Sequence, residues 1–199
     1  MSKEEIVIEA PLVVGIGGSV WGNSATSQLL QAGLGHCSAR GARTQMFAGT
    51  QLAELPFYGL SEVTDDSTAV ALVSAVRQAD AIIVATPGYH GGMSGLVKNA
   101  LDHLEELRED QRPYLHGRAV GIMVAAAGWQ GCGAALTAAR SAVHALRGWP
   151  TPYGVTVNSV EQRATAGGHF PQPVDDALSI LAEQLMQFTT RRAVARMKV

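Results

Sequence analysis

The chain has 199 residues, 47% of them apolar and 16% charged, with a formal net charge of −2. That length suits one domain, able to bury roughly 70% of the surface its unfolded chain exposes, and the near-neutral charge argues against nucleic acid or an anionic membrane surface as a bulk partner. No stretch reaches the ~18 apolar residues needed to cross a bilayer, while the low charge and 22 glycines suggest extensive buried surface, a subunit interface included.

Residues Met1 to Ala10 carry Glu4, Glu5 and Glu9 and read as a polar extension, with nothing like the apolar core of a signal peptide. Leu12 to Ile16 is a continuous apolar run ending in glycines, as expected of a buried parallel strand. Asn23 to about Arg40 reads as a helix with Leu29, Leu30, Leu34 and Cys37 inward. Ala42 to Phe47 is a weaker second strand, followed by a loop at Leu55 to Gly59. Asp65 to Gln78 predicts a helix with Val70, Val73 and Val76 at helical spacing. Ala81 to Ala85 is the clearest buried strand, Pro87 to Gly92 a loop, and Ser94 to Glu109 a helix. Arg118 to Ala127, Gly131 to Arg147 and Tyr153 to Val157 continue as strand, helix and strand. A long polar loop, Asn158 to Pro173, leads to a closing helix from Val174 to about Ala195. Five strands alternating with five helices predict one domain with a parallel sheet covered on both faces.

Two cysteines, Cys37 and Cys132, lie far apart without metal-ligand spacing and read as reduced thiols in a cytosolic protein. His36, His103, His116, His144 and His169 show no metal spacing either, so no metal is expected. No G-x-S-x-G elbow follows a strand, which removes a hydrolase reading.

The segment from Gly15 to Thr26 joins the first strand to the first helix. Unpaired amides at a helix start attract anions, and Ser19, Ser24 and Thr26 add hydroxyls. A dinucleotide fingerprint counted from Gly15 needs glycine where Val20 stands, and an acid where Ala48, Gly49 and Thr50 stand. A triphosphate P-loop fits Gly17 and Gly22 but has Asn23 in place of its lysine. What remains is a hydroxyl-rich monophosphate loop of the kind found in flavodoxin-like proteins. The alternative is a tight glycine turn with Ser24 or Asn23 capping the helix.

The second constellation runs from Thr86 to Asp102, after the third strand. In an open α/β sheet of order 2-1-3-4-5, the loops after strands one and three flank the point where strand order reverses, and ligands bind there. Tyr89 offers a stacking face, and Pro87, Gly88, Gly91 and Gly92 present backbone to a flat ring's polar edge. A mobile glycine loop carrying a chance tyrosine is the alternative.

Together these segments resemble the NADPH-dependent FMN reductase family, whose members show Gly-Ser-x-Arg-x-x-Ser and Pro-x-Tyr leading into Gly-x-x-Lys-Asn-x-x-Asp. Here the first motif is Gly18-Ser19-Val20-Trp21-Gly22-Asn23-Ser24; the second is Pro87-Gly88-Tyr89 followed by Gly95 to Asp102, with Lys98 and Asn99 in place. Leu55-Pro56-Phe57-Tyr58 resembles the family's Leu-Pro-Leu-Tyr segment, and the likeness runs from about Leu12 to Val157. The resemblance implies a flavodoxin-like three-layer sandwich whose five parallel strands follow the order 2-1-3-4-5. It implies FMN as cofactor and NADPH, or NADH, as electron donor. FMN-binding candidates are Ser19, Trp21, Asn23, Ser24, Ala25 and Thr26 at the phosphate; Pro87, Gly88, Tyr89, His90 and Gly91 at the ring; and Gly128 and Trp129 after the fourth strand. The family arginine is replaced by Trp21, a glutamate by Gly88, and an asparagine by His90, which leaves the electron acceptor open. Lys98, Asn99 and Asp102 read as structural, with an i, i+4 ion pair.

The expected reaction is hydride transfer from nicotinamide C4 to flavin N5, with the protein supplying orientation and dryness. No acid or base is required, so no catalytic side chain is singled out. Arg43, Arg112 and Arg118 are candidate partners for the NADPH 2′-phosphate. Reduced FMN passing to a monooxygenase, and reduction of a quinone, azo compound or metal oxyanion in the same pocket, both stay open. A flavodoxin-type carrier is disfavoured by the weak charge, and a flavin sensor is the remaining non-enzymatic reading. The resemblance also implies a homodimer or homotetramer.

Overall fold

A central parallel sheet is built from β1 (Leu12–Gly17), β2 (Arg43–Ala48), β3 (Ala81–Tyr89) and β5 (Ala119–Ala126). The structure is a computed structural model describing residues 9–60 and 67–196, with side chains as far as residue 190. Residues 1–8 of the expected polar extension and the expected helix start at Asp65 lie outside the described residues. Strand order is β2-β1-β3-β5, completed on the β5 side by β6 (Trp149–Pro150) and β7 (Val155–Asn158).

Apolar runs become two-faced because successive side chains alternate across a strand. Val14, Ile16, Ile82 and Val84 face one core, packed by α3 (Thr68–Gln78), α4 (Gly95–Asp102) and α5 (Trp129–Ala145). Val13, Ile83, Ala85 and Met123 face the other, packed by α1 (Ala25–Ser38) and α6 (Gln172–Arg196). The three-layer α/β sandwich expected from the sequence is what forms. Among the described residues no helix is long and apolar enough to cross a membrane.

Four details differ from the sequence expectations. Among the described residues seven strands form rather than five: Gly92–Met93 turns back as β4 on the end of β3, and the last strand divides into β6 and β7. The division falls at Thr151 to Gly154, where Pro152 has no amide to give. Arg140 Nη2 instead donates to the carbonyls of Thr151 and Pro152 at 3.2 and 2.8 Å. Gln184 Oε1 accepts from the Tyr153 amide at 3.0 Å, and the Thr151 hydroxyl donates to Tyr153 O at 2.7 Å. A short α2 (Thr50–Ala53) follows β2. The expected Ser94 to Glu109 helix is α4 followed by a 3-10 turn, His103–Leu107. Finally, Val70 is exposed; α3 buries Ala69, Leu72, Val73 and Val76 instead.

Candidate functional site

β1, β3, β5 and β7 are parallel, so their carboxyl ends lie along one side of the sheet and bring four connections there, the place where open α/β sheets bind ligands in a crevice. The first is the β1–α1 loop. Gly17 pairs with Ala85 across the sheet, and a Cβ on Gly17 would run into the Ala85 carbonyl. Gly18 follows at φ +91, where a Cβ would stand 2.5 Å from Ser27 Oγ, and its amide donates to Ala85 O at 3.1 Å. Two glycines thus let the chain turn directly over β3. Ser24 caps α1: its Oγ accepts from the Ser27 amide at 3.1 Å and donates to Ser27 Oγ at 2.9 Å. The helix-cap alternative therefore holds for Ser24, while the next amides, Ala25 and Thr26, have no intrahelical acceptor. Ser19 is buried, and its hydroxyl has no partner within the protein. Val20, Trp21, Gly22 and Asn23 are exposed.

The second connection is the β3–β4 hairpin. Gly88 pairs with Met93 and Tyr89 with Gly92, leaving His90 and Gly91 as a two-residue turn at φ +48 and +85. Both values are positive, as the favoured tight hairpin turns require. The expected loop is therefore an ordered hairpin with His90 at its tip. Gly88 lies against α5: a Cβ there would sit 3.0 Å from both Ala126 Cβ and Gly131 O, so a larger residue needs these neighbours to give way. Thr86, fully buried, accepts from the Ser94 amide at 3.0 Å, and Ser94 in turn caps α4. Sequence reasoning passed over Thr86, whose small buried hydroxyl pins the hairpin base.

The third connection brings Gly128 and Trp129 to the same end. Gly128 is the N-cap of α5 and Trp129 its first residue, so the helix starts two residues before the expected Gly131. No side chain caps this start, which leaves its first amides open to a ligand. The fourth connection is the segment after β7, for which the sequence offered no reading. Asn158, buried at the strand end, accepts from the Val160 amide at 3.1 Å and donates to Glu161 Oε1 at 2.7 Å. Glu161 Oε2 accepts from the Trp129 indole at 3.3 Å. An asparagine bonding the backbone two residues on is an Asx-turn, and Asn158 at the end of an apolar run was the available signal.

Trp21, Tyr89 and Trp129, an aromatic rim with one residue on each of the first three connections, are 78%, 54% and 49% exposed. The expected cations are elsewhere. Arg43 starts β2 and reaches Glu9 and the Ala10 carbonyl. Arg112 donates to Ala79 O, and fully buried Arg118 donates to the carbonyls of Ala79, Tyr114 and Arg77. All three sit at the amino ends of the strands, on the opposite side of the sheet from the four connections. Arg163, whose Nε donates to Ser159 O at 3.2 Å, is the arginine of the Asn158 turn.

Asn99 is buried and structural. Its Nδ2 donates to Pro56 O at 3.0 Å and Leu55 O at 3.4 Å, and its Oδ1 accepts from the Tyr58 amide at 3.0 Å. Lys98 pairs with Asp102. A groove of about 400 Å³ lies between α1 and residues 167–170, with His36 and Asp175 2.9 Å apart in its wall. With the four connections it shares only residues 167–170, the far part of the segment after β7. Among the described residues no group of three or more metal-ligating side chains occurs.

A family model described as NADPH-dependent FMN reductase matches residues 11–162. An FMN-dependent NADPH-azoreductase of Staphylococcus aureus is 36% identical over 91 residues, which make up 44% of this chain and 48% of that protein. An NADPH azoreductase of Bacillus sp. is 36% identical over 81 residues, 40% of this chain and 42% of that protein. The matched stretch thus spans less than half the length of either relative. In fold, the chain is similar to FerB, a flavoenzyme NAD(P)H:(acceptor) oxidoreductase from Paracoccus denitrificans, with a TM-score of 0.74 at 16% identity, covering 92% of this chain and 98% of that one.

Proposed function

The chain belongs to the NADPH-dependent FMN reductase family, and from that premise we propose that it is an NAD(P)H-dependent FMN reductase working at the four-loop crevice. The observation that carries this reading is the buried Ser19 hydroxyl without a protein partner, in a loop that opens onto the start of α1. Leaving such a donor unpaired costs about 1–3 kcal/mol, and a phosphate monoester would satisfy it. Between Gly17 and Gln28 there is no lysine or arginine. The hydroxyls of Ser19 and Thr26 and the amides of Asn23, Ala25 and Thr26 would carry the phosphate, with Trp21 beside them, while Ser24, its amide on Trp21 O and its hydroxyl on Ser27, would hold the turn in shape.

The ring end would lie against Pro87, Gly88, Tyr89, His90 and Gly91 on one side and Gly128 and Trp129 on the other. When bound, FMN supplies an acceptor for hydride from NADPH or NADH and a donor for the next oxidant. The chain's own part is to orient and to exclude water: the rigid hairpin presents main-chain groups, and the aromatic rim covers the ring. No side chain has to move a proton for hydride transfer, which agrees with a crevice of glycines, hydroxyls and aromatics. A homodimer or homotetramer would bury the exposed Phe57 and Leu60 as well as the rim.

A second reading, an azo-bond reductase that keeps its FMN, is favoured by the names of the two curated relatives. To test both, purified protein is given FMN and the near-ultraviolet absorbance of NADPH, then NADH, is followed under air. Oxidation that needs protein and saturates with FMN supports flavin as substrate; free reduced FMN then becomes available to a monooxygenase. Anaerobic bleaching of an azo dye at sub-stoichiometric FMN supports the azoreductase. Flavin binding without turnover of either nucleotide overturns both readings in favour of a carrier or sensor.

A further inference from the structure

Trp129 is half exposed at the first position of α5, where a large ring has several staggered orientations open to it. It is nonetheless tied. Its indole Nε1 donates to one carboxylate oxygen of Glu161 at 3.3 Å, and the other oxygen accepts from Asn158 Nδ2 at 2.7 Å. Asn158 is 3% exposed and is itself fixed by the Val160 amide on its Oδ1 and by its place in β7. The Glu161 backbone is held too, its amide donating to Asn158 O at 3.1 Å, while the Ser159 amide bonds Ala126 O at 2.8 Å. A rigid strand end thus reaches, through one carboxylate, to an aromatic ring in the neighbouring connection.

We propose that Glu161 is a positioning residue for the ring end of the crevice, holding Trp129 in the one orientation in which a flat aromatic ligand packs on it. The proposal rests on the flavin reading of the crevice for its ligand, but not for the Glu161–Trp129 link. The chemistry calls for a carboxylate. Asn158 and Trp129 both present N–H groups, so the residue between them must accept twice, and an ionised glutamate does so with its two oxygens. The two donors meet different oxygens of Glu161, and glutamine in that place has one oxygen only, so its NH₂ is turned toward one of the donors. Holding the indole beforehand spares a ligand the cost of ordering it.

Glu161→Gln is therefore disruptive despite its equal size. Flavin affinity, read by quenching of bound FMN fluorescence, should weaken about threefold to tenfold, the range expected for losing one well-placed aromatic contact. Trp129→Ala should weaken it to a similar degree, and Glu161→Gln added to Trp129→Ala should cost nothing more. Asn158→Asp combined with Glu161→Gln restores the donor–acceptor order. The new carboxylate on β7 accepts from the new side-chain amide, whose oxygen is then free for the indole, so affinity should recover. In the flavin-free protein with Trp21 and Trp149 changed to Phe, leaving Trp129 as the only tryptophan, Glu161→Gln should lower the fluorescence anisotropy and raise acrylamide quenching. Unchanged anisotropy and affinity in Glu161→Gln overturn the proposal. So do additive losses in the double variant with Trp129→Ala, or a folded double variant of Asn158→Asp with Glu161→Gln that stays at the values of Glu161→Gln alone. If the parent chain binds no FMN, the functional reading fails, while the anisotropy of Trp129 still decides whether Glu161 holds it.

Discussion

A hydroxyl kept dry and unpaired is a cost to the flavin-free fold, and Ser19 carries one at the turn over β3. Ser19→Ala should therefore separate stability from binding. The flavin-free protein should melt at the same temperature or about 2–4 °C higher, as expected for relief of about 1 kcal/mol in a chain this size. FMN affinity should fall about tenfold to hundredfold, because a bond to a charged phosphate is lost. Calorimetry of the apo protein and flavin titration read the two effects separately; a lower melting temperature would mark Ser19 as a structural residue. At this scale the sequence was informative where chemistry is local. Ser24 was legible as a cap because its partner lies three residues on. Glu161 was not, because its partner Trp129 is 32 residues away. Arg118 looked available and is buried, its donors taken by carbonyls that only folding gathers.

Elements were legible in proportion to their length. The runs in β1, β3 and β5 are fully apolar and read as buried strands, and Leu29, Leu30, Leu34 and Cys37 line the buried side of α1 as their spacing indicated. The hairpin was missed because its glycines signal irregular chain as readily as a turn with two positive φ values. β6 is two residues long, too short for any periodicity. Between elements, Asn99 is the clearest tie: one amide on α4 meets three main-chain groups of the segment 55–58. Asn99→Ala leaves the Tyr58 amide and two carbonyls without it. We expect a loss of about 2–3 kcal/mol in urea denaturation, with a difference under about 0.5 kcal/mol showing that water replaces the amide fully.

For the whole molecule, burial on both sheet faces sets how stability responds to alkali. Desolvation pushes the Cys37 thiol from 9.0 up to about 11, with Arg40 opposing it more weakly. The folded chain then keeps a proton that the unfolded chain gives up. Below about pH 9 the contribution is fully present; between about 9 and 11 stability falls, by on the order of 2–3 kcal/mol in all. Denaturation midpoints at either end of that window, compared with Cys37→Ala, isolate this thiol, since burial raises Cys132 as well. An identical alkaline loss in Cys37→Ala would show that other groups cause it.

The interruption between β6 and β7 bears on how copies of the chain meet. An open sheet edge ordinarily invites a strand from another molecule, because its outward amides and carbonyls are unspent. Along Thr151 to Tyr153 those groups are already taken by Arg140, Gln184 and Thr151 itself, and Pro150 and Pro152 have no amide to offer. That stretch of border offers no ladder to a strand from another copy, so any such pairing would have to fall beyond it, along β7 or on β2 at the opposite end of the sheet.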